Sequence, residues 1–245
     1  MPREEDEERE TFRSPACSMH ELAADLGMPT PDQPVLPDAP GAAVPDWPAV
    51  KAWRTRTRAA LLARRSALEL KDRQQRGARA KDRLCAEIDL RPYRVLGIYW
   101  PIRAEIDVRD IAIRHIEAGG IAVLPVVVHK NAPVEFWPWT PGTSMRRGFW
   151  NIPVPASGAA VRPDALIIPL VGFDEKCFRL GYGGGYYDRT LAALSPRPLR
   201  IGIAYSEAQI PTIYPQPHDV PMSVIVTDRG LHRADRAPHW ADPSK

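Results

Sequence analysis

A glycine-rich segment, LGYGGGYYD at residues 180–188, has the clearest chemical potential in the sequence. Glycine accepts positive φ angles, so consecutive backbone N–H groups can turn toward one anion. A helix is predicted to begin at the end of the segment, and its N-terminus would add the positive end of a dipole. The segment can therefore bind phosphate, and a tight structural turn explains its composition equally well. Its glycines are Gly181, Gly183, Gly184 and Gly185.

Two common nucleotide-binding motifs do not match this segment. No Gly-Lys-Ser or Gly-Lys-Thr follows the glycines, which excludes a P-loop. Tyr186 occupies the third glycine position of a dinucleotide-binding fingerprint, which argues against that motif as well. The residue types alone therefore leave the phosphate-binding turn and the structural turn open.

Charged residues elsewhere are candidates for the same chemistry, and each also has a simpler explanation. Glu105 follows a predicted strand and could be an ordinary surface carboxylate. Asp219 precedes a Val-Pro pair and could cap that turn. Arg54 and Arg58 are four residues apart, which puts them on one face of a predicted helix. For these two arginines the alternative is a solvated basic face.

Apolar runs alternate with amphipathic segments from residue 47 onward and predict the elements that position these residues. The predicted helices are residues 47–68, 71–88, 108–118 and 186–194. The predicted strands are residues 94–100, 121–128, 134–139, 165–171, 199–205 and 223–227. Strands that are apolar almost throughout are typical of a mainly parallel sheet covered on both faces. We therefore expect an α/β fold with its ligands beyond the carboxyl ends of the strands.

Proline and charge divide the chain into three parts. The 27 prolines among 245 residues are about twice the usual share of roughly 5%. Many of them lie in the first fifty residues, together with an acidic run near the N-terminus. We expect residues 1–46 to be a disordered, Pro-rich and acidic extension, residues 47–230 to be the α/β domain, and residues 231–245 to be a C-terminal tail.

The overall composition gives no indication of a nucleic-acid, membrane or metal-site partner. The formal net charge of +3 is too small to predict nucleic acid or a membrane as a partner. The three cysteines are far apart and lack zinc-site spacing, which favours a reducing compartment. The N-terminus does not resemble a signal peptide, and no apolar run approaches the ~20 residues that span a bilayer. A cytoplasmic protein is expected.

Five segments, in the right order, are similar to the 5-formyltetrahydrofolate cyclo-ligase family. The most diagnostic is LGYGGGYYDRTL, preceded by PLVGFDEKCFR. The others are GIYWPIRAEIDV at 97–108, FWNIPVP at 149–155, PHDVPMSVIVTD at 217–228 and the Arg-rich helix at 51–65. The match covers about residues 50–230. It implies a three-layer α/β/α sandwich with a mainly parallel sheet.

The resemblance also implies roles for individual residues. The ATP-binding set is Lys51, Arg54, Arg58, Arg179, Leu180, Gly181, Tyr182, Gly183, Gly184, Gly185, Tyr186 and Tyr187. The folate-binding set is Tyr99, Trp100, Glu105, Trp150, Tyr182, Gly183, Gly184, Gly185 and Tyr186. Asp188 and Asp219 would bind Mg²⁺, and the catalytic residues would be Glu105, Arg179 and Tyr186.

The implied reaction closes 5-formyltetrahydrofolate to 5,10-methenyltetrahydrofolate with ATP as co-substrate and Mg²⁺ as cofactor. ATP phosphorylates the formyl oxygen, N10 attacks the activated carbon, and phosphate leaves. The implied partners are small molecules, a reduced folate and ATP, with no obligate protein partner evident. The alternatives are another enzyme of similar fold that binds a phosphate ligand, and a degenerate paralogue that binds nucleotide or RNA.

The sequence departs from the family pattern at several positions. The family places an Arg four residues after a Lys in the first helix, whereas Lys51 is followed there by Thr55, so Arg54 and Arg58 are favoured. Tyr182 and Gly184 stand where some relatives carry basic residues. Phosphate binding would then depend more on the backbone and on Arg179. Val154 and Ser223 also replace acidic or amide residues that are common in the family.

Overall fold

A seven-stranded sheet forms the centre of the protein in the computed structural model, which describes residues 46–234. Its strands are β1 (Val95–Gly97), β2 (Ile121–Val126), β3 (Glu135–Pro138), β6 (Ala165–Pro169), β9 (Leu199–Ile203), β10 (Val224–Val226) and β11 (Leu231–Arg233). Their order across the sheet is β11-β10-β9-β6-β1-β2-β3. The five inner strands are parallel to one another, and β3 and β11 are antiparallel at the two edges.

Helices cover both faces of this sheet. They are α1 (Trp47–Ala67), α2 (Leu70–Glu87), α3 (Arg109–Glu117) and α4 (Tyr186–Ala193). One hydrophobic cluster joins Leu84 of α2 and Ile111 of α3 to one face, and a second joins Leu191 of α4 to the opposite face. Leu96 and Val95, which are adjacent in β1, belong to different clusters, as the alternation of side chains in a strand requires. The predicted α/β sandwich with a mainly parallel sheet is confirmed.

Several short elements were not predicted. Two antiparallel hairpins pair β4 (Met145–Arg147) with β5 (Pro153–Pro155) and β7 (Gly172–Phe173) with β8 (Arg179–Leu180). Residues 231–233, assigned to the tail by the sequence prediction, form β11 instead, because Leu231 pairs with Val226 of β10. Residues 1–45 and 235–245, and with them most of the predicted extension and tail, lie outside the described residues. Within 46–234, no helix is both long and apolar enough to cross a membrane.

The connectivity reverses direction between β1 and β6. From β1 the chain moves outward to β2 and β3, and it then returns to β6 on the other side of β1 before continuing to β9 and β10. In open α/β sheets such a reversal leaves a crevice beyond the carboxyl ends of the strands, where ligands bind. The loops that follow β1 and β6 flank this crevice.

Candidate active site

The first helix supplies three arginines to the crevice. Asp46 caps α1 by accepting a hydrogen bond from the backbone N–H of Ala49 at 3.0 Å. Arg54, Arg58 and Arg65 then recur at intervals of four and seven residues, so they share one helical face. Leu61 lies on the same face and packs against Val171, Phe178, Leu180 and Ile213. Burial of Leu61 therefore turns the three arginines toward the loops at the carboxyl edge of the sheet.

The glycine segment forms a loop between the β7–β8 hairpin and α4. Gly183 has φ +99° and Gly185 has φ +64°, values that side-chain-bearing residues rarely adopt. Gly185 is the N-cap residue of α4, and no side chain within residues 46–234 forms a capping hydrogen bond at this end of the helix. The first N–H groups of α4 are therefore available to an anion beside the loop.

Arg58 lies directly against this loop. Its Nε donates a hydrogen bond to the carbonyl oxygen of Gly181 at 2.8 Å. A Cβ atom built on Gly183 would lie only 3.3 Å from the guanidinium carbon of Arg58. Burial, with a smaller contribution from the like charge of Arg54, lowers the pKa of Arg58 to about 10. The side chain stays protonated at neutral pH and adds a positive charge to the glycine loop.

Arg179 and Asp188 form a pair at the base of the loop. Nη1 of Arg179 lies 3.1 and 3.3 Å from the two carboxylate oxygens of Asp188. Asp188 also accepts a hydrogen bond from the backbone N–H of Val220 at 3.2 Å. The Arg179 side chain is 5% exposed and that of Asp188 is 15% exposed. The pair therefore joins β8 and α4 to the segment before β10.

Asp219, the second predicted metal ligand, is paired with an arginine as well. Nη1 and Nη2 of Arg54 donate to its two carboxylate oxygens at 3.3 and 2.5 Å. The backbone N–H of Gln216 donates to Oδ2 at 2.7 Å, which uses a further acceptor position. Among the residues that the structure describes, no three His, Cys, Asp or Glu side chains form a group that could hold a metal ion.

Glu105 lies on the opposite side of the crevice, in the loop after β1. Its Oε1 accepts a hydrogen bond from the hydroxyl of Tyr182 at 2.6 Å, and its Oε2 accepts one from the backbone N–H of Ile102 at 2.9 Å. The hydroxyl of Tyr182 in turn accepts a hydrogen bond from Nη2 of Arg65 at 2.7 Å. Burial raises the pKa of Glu105, and the charge of Arg65 partly offsets this. The glycine loop and the β1 loop are thus joined by one hydrogen bond between side chains.

The backbone near Glu105 is held in an uncommon conformation. Arg103 and Ala104 have φ values of +47° and +59°. Non-glycine residues with such values cluster at functional sites, where surrounding contacts impose the conformation. Glu105 also borders an open cavity of about 340 Å³, which is lined further by Ala104, Ile106, Asp107, Tyr205 and the facing residues of α2.

Three aromatic rings form an exposed cluster next to the glycine loop. The rings of Trp150 and Tyr186 meet edge to face with centroids 5.3 Å apart, and Phe149 contacts both rings. Trp150 is 44% exposed and has φ +53°. A Cβ on Gly184 would lie 2.9 Å from Tyr186 and 3.4 Å from Trp150, so the absence of a side chain there lets the rings approach the loop. Such a surface suits a flat heteroaromatic ligand.

The other two aromatic candidates differ in exposure. Trp100 is partly buried, and the guanidinium of Arg109 lies 4.6 Å from its ring centroid. Tyr99 is only 3% exposed, and its hydroxyl donates to the carbonyl oxygen of Ile106 at 2.5 Å. Tyr99 belongs to the core on one face of the sheet, which argues against its predicted role of stacking on a ligand.

The model of the 5-formyltetrahydrofolate cyclo-ligase family matches residues 50–228, which is most of the chain. The chain belongs to this family. It is similar to the 5-formyltetrahydrofolate cyclo-ligase of Mycoplasma pneumoniae, with 29% identity over 170 residues that cover 69% of this chain and 94% of the relative. The enzyme of the same name from Escherichia coli K12 is 28% identical over 171 residues, with 67% and 94% covered.

Solved structures also resemble this chain, and two of them illustrate the similarity. A 5,10-methenyltetrahydrofolate synthetase from Mycoplasma pneumoniae aligns with a TM-score of 0.60 and 26% identity, covering 71% of this chain and 98% of that one. A 5,10-methenyltetrahydrofolate synthetase from Aquifex aeolicus aligns with a TM-score of 0.65 and 24% identity, covering 76% and 94%, and supports the fold.

The predicted site residues fall into two groups. One group lies at the glycine loop or is joined to it: Arg58 donates to Gly181, Tyr182 donates to Glu105, and Tyr186 and Trp150 pack beside Gly184. The other group is placed differently: Leu180 is buried in the core, Tyr187 has the guanidinium of Arg179 over its ring, and Lys51 is exposed about one turn before Arg54. Their predicted contacts with ATP stay predictions.

Two further residues were missed by the sequence prediction. Arg65 contacts Tyr182 and lies 4.0 Å from Glu105. Its spacing of seven residues from Arg58 was a usable signal, because that spacing keeps a residue on the same helical face. Phe149 completes the aromatic cluster and directly precedes the predicted Trp150.

Proposed function

We propose that this cyclo-ligase converts 5-formyltetrahydrofolate to 5,10-methenyltetrahydrofolate at the expense of ATP, releasing ADP and phosphate. The supporting observation is the hydrogen bond between Tyr182 of the glycine loop and Glu105 of the β1 loop. It joins a phosphate-binding type of loop to a buried carboxylate across the crevice where open α/β sheets bind ligands. A reaction between a nucleotide and a second substrate needs two such sites side by side.

The nucleotide would bind along the glycine loop. The uncapped N–H groups at the start of α4 and the guanidinium of Arg58 provide positive charge without a P-loop lysine. Only the Nε of Arg58 donates a hydrogen bond within residues 46–234, so its two terminal nitrogens are available to phosphate oxygens. Arg179 would act from below the loop, where its pairing with Asp188 holds it in place.

The reduced folate would bind between Glu105 and the aromatic cluster. Trp150 and Tyr186 offer ring edges and faces to a pterin, with Trp100 near the end of β1. An ionised carboxylate has about four acceptor positions, of which Glu105 uses two on Tyr182 and Ile102. The remaining positions of Glu105 would accept hydrogen bonds from N–H groups of the folate ring.

The protein contributes mainly positioning of the substrates and neutralisation of charge to this reaction. The formyl oxygen attacks the γ-phosphorus and the bond from phosphorus to ADP breaks, which leaves the formyl carbon bearing a phosphate ester. N10 then bonds to that carbon, its proton is lost, and the carbon–oxygen bond breaks as phosphate departs. Arg58 and the loop N–H groups stabilise phosphate charge during transfer, and Glu105 fixes the ring that carries the formyl group.

Mg²⁺ is proposed as the cofactor, with Asp188 and Asp219 as its ligands. The donor set fits partly, because carboxylate oxygens suit this hard cation and phosphate oxygens commonly complete its coordination. Both carboxylates already accept hydrogen bonds, Asp188 from Arg179 and Val220 and Asp219 from Arg54 and Gln216. Asp188 fits better because its side chain is 15% exposed, against 7% for Asp219. When bound, Mg²⁺ would neutralise charge on the phosphates. The other proposed partners are small molecules, and the proposed location is the cytoplasm, in keeping with three cysteines that lie far apart in the sequence and lack zinc-site spacing.

The test is a near-ultraviolet assay with purified protein, 5-formyltetrahydrofolate, ATP and Mg²⁺. The methenyl chromophore is expected to grow only when ATP is present, with one ADP and one phosphate formed per product. Glu105→Gln keeps the size of the side chain and removes its charge, and it is expected to lower kcat/KM by about 100-fold, the size of effect typical of one preorganised polar group. A folded wild-type protein that forms no chromophore would refute the proposal.

A further inference from the structure

The carboxylate of Glu105 is buried and requires a compensating cation. Its side chain is only 3% exposed, and a buried charge without a partner is strongly unfavourable. The guanidinium of Arg65 lies 4.0 Å from Oε1 of Glu105, and it makes the one ion pair that Glu105 has among residues 46–234. Between the two charges stands the hydroxyl of Tyr182, at 2.7 Å from Nη2 of Arg65 and 2.6 Å from Oε1 of Glu105.

Arg65 is itself held in a single orientation by both flanking loops. Its Nε donates to the carbonyl oxygen of Arg103 in the β1 loop at 3.0 Å, and its Nη1 donates to that of Leu170 after β6 at 2.9 Å. With Nη2 on Tyr182, all three nitrogens of the guanidinium have partners. The planar fork of arginine can satisfy three directions at once, which a lysine ammonium cannot do with the same geometry.

The direction of the hydrogen bonds suits an ionised Glu105. Arginine only donates, so the hydroxyl oxygen of Tyr182 accepts from Arg65. The O–H of Tyr182 then donates to Oε1 of Glu105, and the backbone N–H of Ile102 donates to Oε2, so both carboxylate oxygens accept hydrogen bonds. A protonated Glu105 would carry its proton at one of its remaining positions, which would remove the charge that faces Arg65 and one acceptor for the folate ring.

We propose that Arg65, acting through Tyr182, is a positioning residue that keeps Glu105 ionised and oriented as a hydrogen-bond acceptor for the reduced folate. The proposal rests on the proposed function for the identity of the ligand. Its structural part, the dependence of Glu105 on Arg65 and Tyr182, stands on the contacts alone. Arg65 touches no reacting atom in this scheme, so it is not a catalytic residue.

Other ionisable groups also face Glu105 and influence its pKa, beside the effects of Arg65 and Tyr182. Burial is the strongest influence on its pKa and opposes ionisation, whereas Arg65 and Tyr182 favour it most among the side chains. Arg103 favours ionisation less, and its guanidinium lies over the ring of Tyr182. The remaining groups are Tyr99 at the end of β1, Tyr187 of α4, and, around the neighbouring cavity, Arg73, Lys81, Asp107 and Tyr205.

The test compares pH profiles of kcat/KM for Arg65→Met, Arg65→Lys and Tyr182→Phe. Losing an opposite charge at this distance is expected to move the acid limb of Arg65→Met to higher pH by about one pH unit. Tyr182→Phe is expected to move it in the same direction, and Arg65→Lys to return it part of the way. The double variant Arg65→Met with Tyr182→Phe should move the acid limb by less than the sum of the two single shifts. Arg64→Met, an exposed neighbour on α1, is the control and should keep the wild-type profile.

A second readout does not depend on turnover. Glu105 can be titrated by NMR in protein labelled with ¹³C at glutamate carboxyl groups, with Glu105→Gln identifying its signal. The signal is expected to titrate at higher pH in Arg65→Met and in Tyr182→Phe than in the wild type. If Arg65→Met does not fold, Arg65→Lys and Tyr182→Phe carry the comparison.

An unchanged acid limb together with an unchanged Glu105 titration, even with reduced kcat, would overturn the proposal and leave Arg65 as a structural tether of the two loops. Failure of the proposed function is distinguishable from this result. In that case the wild type would show no cyclisation, while the NMR titration would still show the dependence of Glu105 on Arg65. Shifts in both readouts, absent from Arg64→Met, are the supporting result.

Discussion

Arg54 and Asp219 form a buried ion pair that ties the first helix to the segment before β10, with Nη2 and Oδ2 2.5 Å apart. Both side chains are less than a tenth exposed. The same guanidinium donates to the carbonyl oxygens of Ile213 and Tyr214. The sequence suggested that one partner binds nucleotide and the other Mg²⁺. In the structure they bind each other, so a role in ligand binding would have to share or replace this contact.

Arg54→Met is expected to destabilise the protein by about 3 kcal/mol, because it leaves the buried carboxylate of Asp219 without its cation. Urea unfolding at neutral pH measures this effect. The double variant Arg54→Met with Asp219→Asn should regain part of the loss, since the uncompensated charge is gone. Arg64→Met is the matched control on the exposed side of the same helix. Equal stability of Arg54→Met and the control would show that the ion pair contributes nothing net.

Asp188→Ala is expected to raise the Mg²⁺ concentration needed for half-maximal rate by at least about 10-fold. Removing a residue that only hydrogen-bonds to a metal ligand already lowers metal affinity by about that factor, so the loss of a direct ligand should have at least the same effect. Asp188 has the larger solvent exposure of the two proposed ligands, at 15% against 7% for Asp219. The measurement is a Mg²⁺ titration at saturating ATP, with Asp82→Ala of α2 as the control. A titration curve that matches wild type would remove Asp188 from the metal site.

Gly183→Ala is expected to cost about 1–2 kcal/mol of stability, the usual cost of a left-handed backbone for a residue with a side chain. It is also expected to weaken ATP binding, because the new methyl group would lie 3.3 Å from the guanidinium carbon of Arg58. Thermal unfolding and nucleotide titration measure the two effects. Gly181→Ala is the control for stability, since Gly181 has no positive φ and, apart from its two chain neighbours, no described residue lies within 4 Å of an added Cβ. Equal stability losses at the two positions would contradict this account.

The sequence predicted the sheet and the two ends of the crevice for a clear physical reason. Strands buried on both faces must be apolar almost throughout, which makes β1, β2, β6, β9 and β10 easy to detect. Glu105 follows β1, and the glycine loop follows β6 with the β7–β8 hairpin between them, so the rule on carboxyl ends brings both to one edge of the sheet. Their direct connection through Tyr182 required the structure, because a loop conformation is not encoded in a periodic pattern.

Contacts between residues that are far apart in the sequence were the main features that the sequence could not predict. Arg54 and Asp219 are 165 residues apart, and nothing in the local pattern of either residue indicates the other. Tyr99 and Trp100 illustrate a second limit. The sequence placed both residues in one strand, 94–100, whereas β1 ends at Gly97. Tyr99 lies within the core cluster on one face of the sheet and Trp100 packs against the same cluster from a partly buried position, a difference that no periodic pattern encodes beyond the end of a strand. The short strands β4, β5, β7, β8 and β11 have too few residues for a detectable period.

Deleting residues 1–44 is expected to leave both the cyclisation rate and the unfolding temperature unchanged. The family match begins at residue 50, and the first helix is anchored by contacts within the retained chain: Asp46 caps it, and Trp47 packs edge to face on His218 with ring centroids 5.9 Å apart. A longer deletion, of residues 1–46, removes the Asp46 cap and should lower stability by about 1 kcal/mol. Cyclisation assays and thermal unfolding of both deletion variants test the two expectations. If the variant that lacks residues 1–44 folds but loses turnover, residues 1–44 contribute to the site.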